Sequence, residues 1–240
     1  MRLGLDGEPG PLWLMAHTQT AGRGRSGRAW VSLPGNLHAS LVLRPGCPLA
    51  AASKLSLVAG VAATDALRAV AGTTALPGLR VKWPNDVLIA DAKIGGILIE
   101  SSVAGPDADL VVVIGFGLNL ASSPIDPARR TTHLAGHGLM IQPRAMLDSL
   151  AAAMHMWLQR WDRGLGFAEI REAWLQRAGP PGERLSVNAG RGVVDGTFAG
   201  IDGEGSLLMR DADGRVLRFT FGDVTLPGEG RGDEFRQDGK

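Results

Sequence analysis

The spacing of apolar residues in the first half of the chain predicts a sheet of short strands with one long helix among them. Apolar or alternating runs, bounded by glycine, proline or polar residues, predict strands at 12–16, 37–43, 79–83, 87–89, 94–100 and 110–114. Between the second and third runs, apolar residues recur every three or four positions, which predicts a helix from about Leu49 to Ala71. Because only short turns separate the three strands between 79 and 100, we expect antiparallel pairing there.

Two of these strands carry a finer expectation about which side chains are buried. Leu12–Ala16 is a continuous apolar run, which predicts a buried strand that delivers the chain to the polar loop after it. In Leu37–Leu43 the apolar residues at odd positions share one face, and His38 and Ser40 lie on an opposite, more polar face. We therefore expect one buried and one half-buried strand at this side of the sheet.

The second half of the chain predicts two helices followed by a second β unit. Leu147–Trp161 and Phe167–Leu175 each place their apolar residues on one helix face, whereas residues 122–142 predict an irregular connection. The break at Ala178–Gly182, rich in glycine and proline, predicts a domain boundary. Beyond the break, short β runs separated by glycine-rich turns predict a small meandering barrel, at 185–188, 192–199, 206–210 and 216–221.

Together these elements predict an α+β fold, in which a mixed or antiparallel sheet packed by helices is followed by a small β-barrel. We assign the first domain to residues 1–178 and the barrel to residues 183–227. Residues 228–240 are charged and rich in glycine, and we expect them to form a disordered tail.

Composition narrows the class of protein. The chain has 240 residues, 45% of them hydrophobic, so it can bury a full core. Its formal net charge of +1 argues against a general attraction to nucleic acid or membranes, so any positive site must be local. The most apolar segment, 49–70, contains Lys54, Asp65 and Arg68 and is interpreted as a buried helix. A single cysteine, Cys47, and a start without an apolar leader predict a cytoplasmic protein.

Four stretches near predicted strand ends carry cationic or amide side chains, and three of them also carry glycine. In the first, Gln19–Trp30, three glycines are interleaved with three arginines; the others are Lys82–Asp86, Lys93–Gly96 and Gly115–Asn119. Glycine lets the backbone approach a ligand closely, and arginine offers planar donors to phosphate or carboxylate. Taken singly, each stretch fits a solvated turn, an edge-strand lysine, a bulge or a turn cap equally well.

In combination, the four stretches indicate a site for a ligand with a charged end and a flat body that lies against backbone. They suit activation of a carboxylate by a nucleoside triphosphate, in which fixed cations offset the repulsion between two anions. No glycine-rich stretch ends in Gly-Lys-Ser/Thr, so a Walker-type loop is not expected. His133 and His137 lack further metal ligands nearby, and neither a Gly-x-Ser-x-Gly motif nor an activating neighbour of Cys47 supports a nucleophilic hydrolase.

In order, spacing and identity, the same stretches resemble those of the biotin protein ligases, as do Gly35-Asn36-Leu37 and the run from Lys93 to Glu100. The likeness extends to Gly200-Ile201-Asp202 and Gly205-Ser206-Leu207-Leu208, which are similar to the SH3-like end domain of that family. The resemblance therefore implies a class II synthetase-like catalytic domain followed by an SH3-like barrel. It also implies a ligase that forms biotinyl-5′-AMP from biotin and ATP and then biotinylates one lysine of a biotin carboxyl carrier protein or domain.

The resemblance implies roles for individual residues. Arg25 and Lys93 are the implied catalytic residues, because Arg25 would hold the biotin carboxylate and the phosphate together and Lys93 would hydrogen-bond the reacting carboxylate. The implied biotin contacts are Gln19, Gly22, Arg23, Arg25, Lys93, Gly96, Gly115 and Gly117. The implied ATP contacts are Arg25, Arg28, Trp30, Lys82, Asn85, Asn119 and Arg184. Biotin and ATP with Mg²⁺ are implied as substrates, with no tightly bound cofactor and no metal site in the protein.

Three other interpretations stay open. Lipoate or octanoate transfer is carried out by enzymes that look like relatives on the same fold, although the Gly-Arg loop and the Lys-Trp-Pro-Asn-Asp sequence favour biotin. A nucleic-acid-binding module would use the arginine-rich loop, but the balanced charge argues against nucleic acid or a membrane as a partner. The third is a folded but catalytically impaired relative. A homodimer is left open by the sequence.

The resemblance also implies a strand and a helix before Leu12, with an Asp-Ser-Thr-Asn segment that meets the biotin ring. The sequence begins within that helix, so we expect the start to be assigned too late and a chain of this extent to bind biotin weakly in calorimetry. Regulatory members of the family carry an N-terminal helix-turn-helix domain. This sequence has no room for one, so we do not expect DNA-binding repression.

Overall fold

In the computed structural model, which describes residues 1–74, 76–103, 109–126, 129–190 and 192–229, two antiparallel sheets and a set of helices share one hydrophobic core. The first sheet has six strands: β1 (Leu12–Ala16), β2 (Leu37–Leu43), β3 (Arg80–Lys82), β4 (Asp86–Ile89), β5 (Ala92–Val103) and β6 (Leu110–Leu118). Their order is β1-β2-β6-β5-β4-β3, and each neighbouring pair is antiparallel. The expected strands and their antiparallel pairing are therefore confirmed.

The two longest strands of this sheet, β5 and β6, lie side by side at its centre. Their register places Gly96 opposite Gly117 and Leu98 opposite Gly115. On the other side of β6, Ser40 of β2 also lies opposite Gly115. The third and fourth stretches, which are separated along the chain, therefore form one strip of thin backbone in the middle of the sheet.

The first two strands differ from their finer expectations. β1 pairs only with β2 and is an edge strand, so Leu14 and Met15 remain 42% and 39% exposed, and the predicted burial of this strand is wrong. In β2, His38 is buried, and its Nε2 lies 3.2 Å from the carbonyl oxygen of Leu33. Burial lowers the pKa of His38, and that backbone contact raises it in part. Both faces of β2 are covered, because Val42 packs with Val111 and Val113 on the side opposite the main core.

Within the described ranges, five α-helices accompany the sheets: α1 (Arg2–Leu5), α2 (Leu49–Ala52), α3 (Leu55–Ala71), α4 (Pro143–Trp161) and α5 (Phe167–Leu175). The helix expected over 49–71 is broken after Ala52, where the hydroxyl of Ser53 donates back to the carbonyl of Ala50. The combined segment is apolar and long enough to cross a membrane, but most of α3 is buried in the core against the sheet and α4. α4 and α5 confirm the two helices predicted after residue 142.

One charged residue in the apolar helix α3 has a structural partner. The carboxylate of Asp65 accepts hydrogen bonds from both Nε and Nη2 of Arg177, at 2.9 and 2.8 Å. It also accepts one from the indole Nε1 of Trp157 at 2.9 Å. Asp65 therefore joins α3 to α4 and to the turn after α5, and a paired, hydrogen-bonded carboxylate of this kind can be partly buried without a large penalty.

The second sheet follows the Pro-Gly break and has five antiparallel strands: β7 (Arg184–Asn188), β8 (Val193–Ile201), β9 (Leu207–Arg210), β10 (Val216–Phe219) and β11 (Asp223–Thr225). Their order is β10-β9-β8-β7-β11. The first four match the predicted β runs, whereas β11 has only three residues and was not predicted. A run this short carries no readable alternation of apolar and polar residues.

The second sheet packs directly on the first unit. The rings of Trp174 on α5 and Phe198 on β8 lie 6.4 Å apart, and the indole Nε1 of Trp83 donates to the carbonyl of Gly205 at 3.1 Å. The break at 178–182 therefore separates the two sheets along the chain but not their cores. Of the predicted tail, Glu229 is described and contacts Lys82, whereas residues 230–240 lie outside the described residues.

Candidate functional site

A cavity of about 820 Å³ opens between the centre of the first sheet, the loop that follows β1, and the β7–β11 side of the second sheet. Most residues with an implied role line it: Gln19, Arg23, Arg25, Arg28, Trp30, Asn85, Lys93, Gly96, Gly115, Gly117 and Asn119. Apolar residues of the central strands, among them Ala39, Ile97, Val113 and Phe116, form the rest of one wall. The fold thus gathers residues of all four stretches at one place.

The loop over residues 19–30, here called the Gly-Arg loop, is folded into a hairpin. The backbone N–H of Trp30 donates to the carbonyl of Gly22 at 2.9 Å, and that of Gly24 donates to the carbonyl of Arg28 at 2.7 Å. A Cβ on Gly22 would lie 2.5 Å from the carbonyl oxygen of Trp30, so only glycine fits at the base of this hairpin. Gly22 is not among the described residues that line the cavity. In this structure it allows the two arms of the hairpin to lie close together.

Carboxylates of both sheets hold the Gly-Arg loop. On the first sheet, Arg23 pairs with Glu100 of β5 at 3.0 Å. On the second, Arg28 pairs with Asp223 of β11 at 2.6 Å. Both arginines are substantially exposed, so each pair adds little to stability. Their effect is to fix where the loop lies, across the mouth of the cavity.

Arg25 lies deeper in the cavity and is bound more loosely than its neighbours. Its guanidinium donates to the carbonyl of Gly222 at 3.2 Å and to Oδ1 of Asn85 at 3.4 Å, and it lies 3.8 Å from Asp223. Burial lowers the pKa of Arg25, Asp223 raises it, and Arg28 lowers it again. The group stays charged at neutral pH and retains donors for a further acceptor.

Trp30 lies over the glycine strip. A Cβ on Gly117 would overlap the indole ring, and one on Gly96 would lie 3.2 Å from both Trp30 Cζ3 and Lys93 Nζ. The indole Nε1 of Trp30 is buried without a hydrogen-bond partner among the described residues. Gly115 differs, since a Cβ there would meet Leu98 only at an ordinary 3.7 Å. Gly96 and Gly117 are therefore needed for the indole, and Gly115 is not.

Asp86, which had no predicted role, is the buried centre of the cationic wall. Its Oδ1 lies 2.5 Å from Lys93 Nζ, and its Oδ2 lies 3.6 Å from Lys82 Nζ and from Arg129 Nη1. Burial alone would raise the pKa of the Asp86 carboxyl, but Lys93 and then Lys82 lower it to about 2. The residue is ionised at neutral pH and holds the Lys93 ammonium in place beside the glycine strip.

Lys82 does not reach the cavity, in contrast to its implied role as an ATP contact. Its side chain is 6% exposed, and its ammonium lies 3.1 Å from both carboxylate oxygens of Glu229. The Lys82 ammonium therefore has both Asp86 and Glu229 as carboxylate partners within the protein interior. Its positive charge stabilises the ionised Asp86 although Lys82 is not among the described residues that line the cavity.

Arg184 also lies away from the described cavity lining. It is exposed at the start of β7, opposite Thr197 of β8. The same strand reaches the cavity further along, at Ser186 and Asn188. β7 therefore contributes Ser186 and Asn188 to the cavity, and Arg184 is not among the described residues that line it.

Asn119 and the segment after it bring a further arginine to the site. The side-chain amide of Asn119 donates to the carbonyl of Thr132 at 3.1 Å. The backbone N–H of Lys93 donates to Arg130 at 2.8 Å, and that of Thr132 donates to Lys93 at 2.9 Å. Residues 129–132 thus run alongside the start of β5 and place Arg129 in the cavity wall. No pattern in the sequence predicts this contact, since the segment is irregular.

Histidine and metal chemistry find no support in the described residues. His133 contacts Ser123 at 3.1 Å and His137 contacts Thr132 at 2.9 Å, so both histidines have polar partners within the connection over 122–142. Across the described part of the chain, no group of three or more His, Cys, Asp or Glu residues is placed to hold a metal ion. Burial raises the pKa of Cys47, which keeps its thiol protonated and unreactive.

Comparison with known proteins identifies relatives over most of the chain. Residues 3–119 match the biotin/lipoate A/B protein ligase family. A biotin–[acetyl-CoA-carboxylase] ligase of Paracoccus denitrificans is 43% identical over 217 residues, which are 88% of this chain and 89% of that protein. The bifunctional ligase/repressor BirA of Escherichia coli is 33% identical over 88% of this chain, and the match spans 65% of BirA. A biotin protein ligase from Aquifex aeolicus, solved in complex with biotin and ATP, superposes with a TM-score of 0.72 at 28% identity, covering 89% of this chain and 87% of that one.

Proposed function

Because the chain belongs to the biotin/lipoate A/B protein ligase family, we propose that it is a biotin–protein ligase that activates biotin with ATP and transfers it to a carrier lysine. The relative that is 43% identical is named for this reaction on acetyl-CoA carboxylase, and the Aquifex structure of the same fold holds biotin and ATP. The acceptor is accordingly a biotin carboxyl carrier protein or domain. Lipoate or octanoate transfer is the less favoured alternative.

The proposed reaction has two steps. In the first, a carboxylate oxygen of biotin attacks the α-phosphorus of ATP, the bond from that phosphorus to the bridging oxygen of the β-phosphate breaks, and pyrophosphate leaves. In the second, the neutral ε-amine of the carrier lysine attacks the carbonyl carbon of the biotinyl-5′-AMP anhydride. The carbon–oxygen bond to AMP breaks, AMP leaves as an anion, and the amine proton passes to solvent.

The observation that carries this proposal is the placement of Lys93 and Arg25 in one cavity with the glycine strip. Attack of a carboxylate on a phosphate brings two anions together, and fixed cations lower that barrier more than mobile ones can. Asp86 fixes the Lys93 ammonium at 2.5 Å, and Arg25 keeps donors available from the loop side. We assign Lys93 to the reacting carboxylate and Arg25 to the junction between carboxylate and α-phosphate.

The glycine strip and its apolar neighbours suit the body of biotin. A bicyclic, mostly apolar molecule binds well in a concave site with apolar walls and a few polar groups. Gly115 leaves the backbone of β5 and β6 open to such a body, whereas the indole of Trp30 lies over Gly96 and Gly117 in this structure and must move for the body to approach there. Gln19 and Arg23 line the loop side of the same cavity and are assigned to biotin as well.

The remaining polar residues are assigned to ATP. Arg28, Trp30, Asn85 and Asn119 line the cavity around Arg25, and Trp30 covers the strip, so that closure of the Gly-Arg loop would keep water from the mixed anhydride. Mg²⁺ enters with ATP as part of the substrate. We further infer that the five-stranded second sheet is the family's SH3-like barrel, and that the enzyme works in the cytoplasm.

Biotin-dependent exchange of labelled pyrophosphate into ATP tests the first step. We expect exchange with biotin and none without it, because pyrophosphate can only return through biotinyl-5′-AMP. Lipoate and octanoate, each tested in place of biotin, should support at most a small fraction of that rate. Exchange with lipoate or octanoate but not with biotin would establish the alternative transferase instead.

A further inference from the structure

We propose that Arg129 binds the β- and γ-phosphates of ATP and so stabilises the departing pyrophosphate. This inference rests on the proposed function, because it concerns the first step of that reaction. Arg129 belongs to none of the four stretches named in the sequence analysis and precedes Thr131, which pairs with Lys93 in a short parallel bridge. Its guanidinium lines the same cavity as Arg25 and Lys93.

The backbone around Arg129 holds it in a defined place. The N–H of Lys93 donates to the carbonyl of Arg130 at 2.8 Å, and the N–H of Thr132 returns a hydrogen bond to the carbonyl of Lys93 at 2.9 Å. The hydroxyl of Thr131 donates to the carbonyl of Pro124 at 2.6 Å. The segment is therefore fixed directly beside the lysine that we assign to the reacting carboxylate.

The guanidinium of Arg129 has donors to spare. Its side chain is 25% exposed, and its guanidinium lies 3.6 Å from the carboxylate of Asp86. That carboxylate already accepts from Lys93 at 2.5 Å and also faces Lys82. By contrast, Arg23 and Arg28 of the loop have close carboxylate partners at 3.0 and 2.6 Å. The guanidinium is half-buried and has five N–H donors, and the Asp86 carboxylate that it faces is distant and shared with two lysines. Such a group is suited to a ligand with several anionic oxygens.

The position of Arg129 relative to Arg25 indicates which oxygens those are. The two guanidinium groups repel each other across Asp86, and Arg129 is among the groups that lower the pKa of Arg25. An anion bound between them would relieve that repulsion. Arg25, with Asn85 beside it, is assigned to the α-phosphate and Lys93 to the carboxylate, so the anionic oxygens left for a third cation in the same cavity are those of the β- and γ-phosphates. Negative charge builds up on that part as pyrophosphate leaves, and a fixed cation there lowers the barrier.

The Arg129→Gln variant distinguishes binding of the β- and γ-phosphates from a general effect on the site, because only the first half-reaction involves those phosphates. We expect the KM for ATP in biotin-dependent pyrophosphate exchange to rise by about tenfold or more, the usual effect of losing a charged hydrogen bond. Transfer from purified biotinyl-5′-AMP to a carrier domain should stay within about twofold of wild type, because that substrate lacks the β- and γ-phosphates. Arg129→Lys, which keeps the charge, should recover part of the loss.

Arg130→Gln is the matched control, since Arg130 is the next residue, is exposed and is not among the described residues that line the cavity. It should leave both half-reactions near wild type. An unchanged KM for ATP in Arg129→Gln would overturn the proposal, and so would an equal loss in both half-reactions, which would show that Arg129 acts through Asp86 and Lys93. Absence of exchange in the wild-type enzyme would count against the proposed function itself.

A measurement on the unaltered enzyme covers the case in which the variants fold poorly. Phenylglyoxal modifies accessible arginines, and peptide mass spectrometry reports modification at each one. We expect ATP and pyrophosphate to protect Arg129 and AMP to leave it reactive. Equal protection by AMP would place the contact at the α-phosphate and contradict the assignment.

Discussion

At the scale of single residues, the cationic wall depends on Asp86. The carboxylate is buried among Lys82, Lys93 and Arg129, and its position at the start of β4 brings these three cations to one place. The sequence motifs indicated roles for Lys82 and Lys93, but they indicated none for the Asp86 carboxylate that lies between the two ammonium groups. Removing that carboxylate takes a counter-charge away from all three cations and leaves Lys82 with Glu229 alone, which is costly in a low-dielectric interior.

The Asp86→Asn variant should lose stability in a pH-dependent way. The pKa of Asp86 is lowered from 3.8 to about 2 in the folded protein, so the ionised carboxylate stabilises the fold above about pH 4, and this contribution is lost as the pH falls through 2. A shift of nearly two pKa units corresponds to about 2 to 3 kcal/mol. Denaturant unfolding of wild type and variant between pH 2 and pH 6 measures the difference, which should shrink on acidification.

The control for that comparison is Asp148→Asn, because Asp148 pairs with Arg144 on the exposed face of α4. Its effect should stay within about 0.5 kcal/mol at each pH. A wild-type to Asp86→Asn difference that does not change with pH would contradict the assigned pKa and its cause.

Lys93→Ala should slow adenylation without unfolding the protein. Loss of one fixed cation from the reacting carboxylate is expected to reduce biotin-dependent pyrophosphate exchange by roughly 100-fold to 1000-fold. Lys54→Ala is the comparison, because Lys54 pairs with Glu204 and lies over the ring of Phe167, away from the described cavity lining. Near-normal exchange in Lys93→Ala would remove Lys93 from the mechanism.

At the scale of secondary structure, much of the fold could be predicted from local pattern, but the order of the strands within each sheet could not. The apolar runs located the strands and helices, since burial imposes a period of two or about 3.6 on side chains. The exposure of β1 depends on its place at the edge of the sheet, which is a property of the strand order. β11 is too short to show a pattern, so Asp223, which it carries to Arg28, was not predicted either.

The site shows the same division. Motif resemblance located most of the cavity lining, because those residues act through their own side chains or backbone. It did not reveal Glu100 as the partner of Arg23, nor Arg129 beside Lys93, since both contacts join segments that are distant along the chain. The resemblance assigned Lys82 to ATP. Its burial under Glu229 could not be predicted from the local sequence, because Glu229 follows the last strand of the second sheet.

Gly117→Ala should loosen the Gly-Arg loop. A methyl group at Gly117 would overlap the indole of Trp30, so the indole and the loop that carries it must move out of the cavity. Trypsin cleaves after arginine. Under native conditions we expect faster cleavage after Arg25 and Arg28 in the variant than in wild type, with the fragments identified by mass spectrometry. Gly115→Ala is the control, because its methyl group would meet only ordinary contacts. Equal cleavage rates in the two variants would show that Trp30 does not hold the loop.

At the scale of the whole molecule, the two sheets act as one body. They share a core through Trp174 and Phe198, and they hold the Gly-Arg loop between Glu100 and Asp223. The active-site loop therefore depends on the second sheet, although the chain crosses a Pro-Gly break to reach it. A ligase built this way needs both sheets in place before its cations are in position.

Phe198→Ala should destabilise the entire protein, not the second sheet alone. Phe198 is 6% exposed, and truncation of a buried phenylalanine costs about 3 to 5 kcal/mol. Calorimetry should show a single unfolding transition in wild type and a single, lower one in the variant. Phe221→Ala, at a residue that is 63% exposed, should change stability by less than about 0.5 kcal/mol. Two separate transitions in wild type would contradict the shared core.

The most direct test of the proposed ligase activity is the intact mass of an unmodified carboxyl-carrier domain after incubation with the enzyme, Mg²⁺, ATP and biotin. We expect a gain of one biotinyl group on one lysine, which requires both ATP and biotin and is lost in Lys93→Ala but kept in Lys54→Ala. No gain in mass with the wild-type enzyme, or an equal gain when lipoate or octanoate replaces biotin, would contradict the proposal.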